Sequence, residues 1–126
     1  MPYLNSNGLK IYYETEGEGP PLILIHGFAS NLEQNWKQTN WVKVLKDSYH
    51  LILLDCRGHG KSDKPHDDSY YGYKKMIGDI LRLMDELSIE KANFFGYSMG
   101  AYMTFQLLLQ KPGLFISAIL GGFVLY

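Results

Sequence analysis

The chain is poor in several things that would mark a specialised class. Its single cysteine, Cys56, cannot close an internal disulfide, which excludes a cross-linked small scaffold. No apolar run reaches the ~18 residues of a membrane-spanning helix, so a membrane is not an expected partner. Neither charge dominates, with 12 basic against 13 acidic side chains, and nucleic acid is not an expected partner either. The opening "MPYLNSNGLK" lacks a basic segment followed by an apolar stretch, so the expected location is cytoplasmic. No cluster of His, Cys and carboxylates has ligand spacing, and neither a metal nor an organic cofactor is expected. What remains is an ordinary globular composition, 46% apolar and 20% charged over 126 residues. That length suits one domain, residues 1–126, burying roughly two-thirds of its unfolded surface.

Strand-like and helix-like segments alternate along the chain, which predicts an α/β fold. Asn7-Gly8 lies between "PYLN" and "LKIYYETE", a hairpin signal that predicts two antiparallel strands at the start. "PLILI" (21–25), "HLILLD" (50–55), "KANFFGYS" and "FISAIL" are then continuous apolar runs, as in strands buried on both faces of a mostly parallel sheet. Residues 36–46 and 73–87 read as crossover helices. In the second, Tyr73, Ile77, Ile80, Leu81, Met84 and Leu87 keep helical spacing along one face. Residues 99–110 are apolar nearly all round and stop at Lys111-Pro112-Gly113, which predicts a helix buried on most sides.

The sharpest motif is Gly96-Tyr97-Ser98-Met99-Gly100, of the form G-x-S-x-G. Between a buried strand and a helix this form exposes the serine at a sharp turn, while Gly96 and Gly100 let strand and helix pass closely. Ser98 is therefore the candidate nucleophile. In "LILIHGFAS" the strand ends at His26-Gly27-Phe28; Gly27 is expected to permit a tight turn, and the N–H groups of Phe28 and Met99 to form an oxyanion hole. His26 is read as a histidine bonded to its own loop.

With these residues in view, the chain resembles the N-terminal half of an α/β-hydrolase fold protein. The likeness rests on "HGF" after the third strand, "DCRGHGKSD" (55–63) after the fourth and "GYSMG" after the fifth, and it extends over nearly the whole chain. It implies a fold that stops after the sixth strand, without the cap and the C-terminal triad segment of the family, and an activity on ester, thioester or related acyl substrates. It also implies that the 55–62 turn is structural. A rival reading takes Gly60-Lys61-Ser62 as the end of a phosphate-binding loop, but Asp55 occupies the place of its first glycine and Pro65 follows where a helix should begin.

One absence bears on activity. The triad of this fold runs Ser, then Asp or Glu, then His, yet the 28 residues after Ser98 contain no Asp, no Glu and no His. His26, His50, His59 and His66 all precede the serine; His59 is the least implausible substitute and is read as structural, as are Asp55, Asp63, Asp67 and Asp68. Two functions stand open. The chain is a hydrolase portion completed by a second half, acting on a small acyl compound, or a truncated, non-catalytic relative with a binding or assembly role. The uncharged segment 113–126, with Phe115, Ile119, Phe123 and Leu125, would leave an apolar sheet edge, so a homodimer or a second chain supplying the missing half is expected to cover it.

Overall fold

The structure, a computed structural model, describes residues 2–123. Strands β1 (Tyr3–Ser6) and β2 (Leu9–Glu16) form the expected hairpin. Asn7 and Gly8 both take positive φ, 50° and 92°, the backbone that a two-residue turn needs to match the twist of its strands. The sheet order is β1-β2-β4-β3-β5-β6, with β3 Pro21–Ile25, β4 His50–Leu54, β5 Ala92–Tyr97 and β6 Phe115–Gly121. Both pairings of β2 are antiparallel, and β4-β3, β3-β5 and β5-β6 are parallel. The chain steps outward from β3 to β4 and then to β5 on the other side. The loops after β3 and β5 therefore meet at a switch in strand order, where α/β sheets keep their sites.

The continuous apolar runs are explained by two cores. Ile23, Ile25, Ile52, Leu54 and Phe94 face helices α2 (Tyr73–Glu86) and α3 (Met99–Gln110), whereas Leu22, Leu24, Leu51, Leu53 and Phe95 face Trp36 and Val42 on the opposite side. Alternate residues of one strand thus bury in different layers.

Three expectations about helices need correction. Residues 36–46 do not form one helix: a π-helical turn spans Glu33–Lys37, Asn40 turns left-handed at φ 69°, and the short α1 follows at Trp41–Leu45. The break lets Trp36 and Trp41 both pack edge-on against Phe95, with ring centroids 4.8 and 5.0 Å away. On one straight helix, residues five apart point about 140° from each other and could not share that ring. Helix α3 is buried along one side only, through Ala101, Met103, Thr104 and Leu107, while Tyr102 and Leu109 are exposed. In α2 the buried face is Met76, Ile77, Asp79, Ile80, Leu83 and Met84. It is rotated from the predicted stripe and has a carboxylate in its middle. No described helix is long and apolar enough to cross a membrane.

Candidate active site

Ser98 stands between β5 and α3 at φ 54° and ψ −109°, a backbone that side-chain sterics disfavour for any residue but glycine. The turn is pinned at both ends. The Ser98 N–H donates to the Gly121 carbonyl at 2.9 Å, and the Ser98 carbonyl accepts from the Tyr102 N–H at 3.1 Å. The hydroxyl-bearing residue is exposed, held out past the end of the sheet.

Gly96 and Gly100 are required by proximity. A Cβ on Gly96 would stand 2.5 Å from the Gly100 carbonyl carbon and 2.6 Å from Thr104 Oγ1, and one on Gly100 would overlap the Ile25 carbonyl oxygen and stand 2.6 Å from its carbon. Strand β5, helix α3 and the end of β3 are thus in backbone contact around Ser98. Gly27 serves proximity too, since its Cβ would meet Tyr97 and Ser98 at 3.3 to 3.4 Å, and its φ is not positive. The left-handed residue of that loop is Ala29, at φ 61°; the tight turn expected at Gly27 lies two residues on.

Side chains from distant elements set the loop's shape. Asn35 Oδ1 accepts the Gly27 N–H at 2.9 Å, and His59 Nε2 accepts the Ala29 N–H at 3.0 Å. Between these two occupied donors, the Phe28 N–H has no acceptor among the described residues, and neither does the Met99 N–H in the first turn of α3. Asn35 was not singled out from the sequence; an amide eight residues past a glycine is too common to mark itself.

The four histidines offer Ser98 no base. His26 is fully buried: its Nδ1–H donates to the Gly27 carbonyl at 2.7 Å and its Nε2 accepts the Cys56 N–H at 3.0 Å. Burial pushes its pKa down to about 4, and the neutral tautomer suits both bonds. The nitrogens of His59 are similarly committed, Nδ1–H to the Arg57 carbonyl and Nε2 to Ala29. His50 starts β4 and His66 is exposed. The upstream acids bind backbone: Asp55 accepts from the N–H groups of Leu32 and Lys61, Asp63 from Lys10, and Asp67 from Ser69. Burial raises the Cys56 thiol well above its ordinary range, which leaves it inert as a nucleophile. Among the described residues no cluster could hold a metal ion.

Ser98 borders a cleft of about 470 Å³ shared with Phe28, Tyr73 and Tyr102, and a hollow of about 570 Å³ lined by Trp36, Trp41, Phe95 and Tyr97. The exposed Phe28 lines both. A sequence model of the alpha/beta hydrolase fold family matches residues 20–122. The chain belongs to that family. An epoxide hydrolase 3 from Siraitia grosvenorii is 32% identical over 109 residues, covering 86% of this chain and 34% of that protein. Among solved structures, the enol-lactonase from Burkholderia xenovorans LB400 superposes with a TM-score of 0.86 at 31% identity, over 94% of this chain and 45% of that one. Est816, an N-acyl homoserine lactone degrading enzyme, superposes with a TM-score of 0.83 at 33% identity, over 93% of this chain and 43% of that one. The chain spans about a third of the length of the curated relatives it matches.

Proposed function

We propose that this chain is the nucleophile-bearing part of a serine hydrolase acting on an ester, thioester or related acyl compound. In this reading Ser98 Oγ attacks the acyl carbonyl, and the N–H groups of Phe28 and Met99 receive the developing oxyanion. The observation that carries it is the backbone of Ser98, φ 54° between β5 and α3, a strained conformation held by two close-packed glycines. Strain of order 1–3 kcal/mol persists only where the surroundings impose it. The two free N–H groups beside it support the oxyanion role, because donors fixed before reaction need no reorganisation as charge develops. Two of the solved relatives are named for lactone chemistry; a lactone is a cyclic ester, and opening it is acyl transfer of the same kind.

The base and its orienting carboxylate come from outside these 126 residues, since each upstream histidine and aspartate near the site is already bonded to the fold. We also assign the open β6 side to coverage by whatever carries those groups, or by a second copy of the chain. Without a base, a serine hydrolase loses on the order of 10⁶ in rate, so the isolated chain should turn over p-nitrophenyl acetate barely above background. The informative measurement is therefore the adduct. After long incubation with p-nitrophenyl acetate, intact-mass and peptide analysis should find one acetyl group on Ser98, absent in Ser98→Ala. Acetylation elsewhere only, or at Ser98 no faster than at other surface serines, would defeat the nucleophile assignment and leave the binding or assembly role.

A further inference from the structure

A second cavity, of about 380 Å³, lies at the hairpin edge of the sheet, away from Ser98, and four of its nine lining residues are cations: Arg57, Lys74, Lys75 and Arg82. None of the nine is acidic, in a chain whose net charge is −1. Its floor is built. Arg57 donates from Nε and one terminal nitrogen to the two oxygens of Asp79, at 2.8 and 2.7 Å, and from the other to the Tyr70 carbonyl at 2.6 Å. Ser6, fully buried, donates its hydroxyl proton to Asp79 and accepts from Arg82 at 3.0 Å. The buried Asp79 carboxylate thus balances Arg57, and Arg82 is oriented through Ser6 rather than neutralised.

Arg82, Lys74 and Lys75 have no carboxylate within ion-pair distance among the described residues. Lys74, Gly78 and Arg82 follow at four-residue spacing on one face of α2. Gly78 makes room for the guanidinium, since a Cβ there would stand 3.0 Å from its terminal nitrogen. A glycine inside a helix is less stable than an alanine. The first turn of α2 compounds the charge: it holds both lysines, no acidic residue and no side-chain cap, where the helix dipole is already positive. Like charges at this density repel one another unless an anion sits between them.

We propose that this cavity binds a phosphate group, free or as the monoester of a small organic molecule, with Arg82 as the directional donor and Lys74 and Lys75 as flanking charges. A phosphate offers an oriented guanidinium two acceptor oxygens and the lysines a third. Leu9 and the half-exposed Tyr70 at the rim leave an apolar contact for an organic part.

Calorimetric titration of the chain with inorganic phosphate and with phenyl phosphate, at ionic strength matched with chloride, tests this. We expect saturable binding of at least one, with an equilibrium constant tighter than about 10 mM. Arg82→Gln and Lys74→Gln should each weaken it several-fold, and together more than tenfold. Tighter binding of phenyl phosphate identifies the monoester as the source, and equal binding the free anion. Absence of saturation for both, or affinity unchanged in Lys74→Gln, would overturn the proposal. Lys74 is exposed and makes no described contact that folding needs, so its variant reads out even if Arg82→Gln is unstable. Ser98 has no part in the measurement.

Discussion

From β1 to β4 the sheet is braced mostly by buried polar groups that reach across long stretches of sequence, whereas β5 and β6 are held by glycines and ring packing, with polar bonds joining the partly exposed Asn93 to Pro21 and Ser117, and keep large apolar side chains in the open. On the first side, Arg57 and Asp79 join a loop to α2, Ser62 accepts the Tyr12 N–H, and Asp55 ties two loops together. On the second, Phe94 stacks on Phe115 at 4.2 Å, and Leu109, Ile116 and Ile119 are more than half exposed. The candidate chemistry sits between them, at the loops after β3 and β5. The braced side holds His26, Ala29 and Asp55 in one geometry, and the close-packed side forces Ser98 out of the sheet. Preorganisation of a site asks for both.

The largest effect should come from the close-packed side. Gly100→Ala puts a methyl group onto the backbone of Ile25, and backbone atoms cannot rotate aside as a side chain can. The loss of stability should exceed about 3 kcal/mol, read by urea denaturation, and a mild effect would show that β3 and α3 can separate without cost. The braced side should answer next. Asp79→Ala leaves the Arg57 guanidinium buried and unpaired, and breaking such a pair costs about 3–5 kcal/mol. If Asp79→Ala is nearly neutral, the bracing is decorative and the contrast between the sides fails.

The strands and the turn at Ser98 were legible because both signals are local: an apolar run names a doubly buried strand, and two glycines around a serine name a close approach. The network beneath the hairpin was not, because Ser6 and Asp79 lie 73 residues apart. A trace of it was visible. Asp79 falls between Met76, Ile80 and Leu83 on the buried face of α2, and a carboxylate there demands a partner. The break at Asn40 was hidden by tertiary packing, since nothing in the local sequence outweighs the helical spacing until Phe95 arrives to share two indoles. Gly27 illustrates the reverse error. Its glycine signalled a turn, but the reason for it is the neighbouring Tyr97 and Ser98. Of the apolar edge residues, Ile119 is exposed, Phe115 is half-buried on Phe94, Phe123 packs near Phe105, and Leu125 lies outside the described residues.

Acid should weaken the braced side through His26. The unfolded imidazole titrates near 6.5 and the folded one at about 4, so between those values the unfolded chain binds more protons and falling pH favours unfolding. The contribution is whole above pH 6.5, declines through the interval and levels off below about 4, amounting to about 3 kcal/mol. Denaturation midpoints measured from pH 7 to 4 should show this slope, and His26→Gln should remove it; an unchanged slope would assign the acid sensitivity elsewhere. A smaller effect of opposite sign is expected at the turn itself. Ser98→Gly relieves a backbone strain of 1–3 kcal/mol while adding the entropy cost of glycine, about 0.5–1 kcal/mol, for a net gain of about 1 kcal/mol. A loss instead would mean that the Ser98 side chain is making contacts worth more than its strain.

The smallest effect on folding should come from Ile119→Lys, and that is what makes it informative about the open side. Ile119 is 56% exposed on the outermost strand, and a substitution at such a position ordinarily changes stability by no more than about 0.5 kcal/mol. Ile116 on the same strand, and Leu109 and Tyr102 on the adjoining helix α3, are exposed as well, and an edge strand of this character also offers unpaired N–H and C=O groups along its length. If a second copy or a completing polypeptide covers this side, a lysine there places a charge in the joint. Light scattering coupled to size exclusion should then show a species larger than 14.4 kDa for the parent chain and dissociation of that species in Ile119→Lys, with the urea midpoint of the dissociated chain scarcely moved. A parent chain that runs as a soluble monomer at micromolar concentration would remove the case for coverage, and the contrast between the two sides would then be one of rigidity alone.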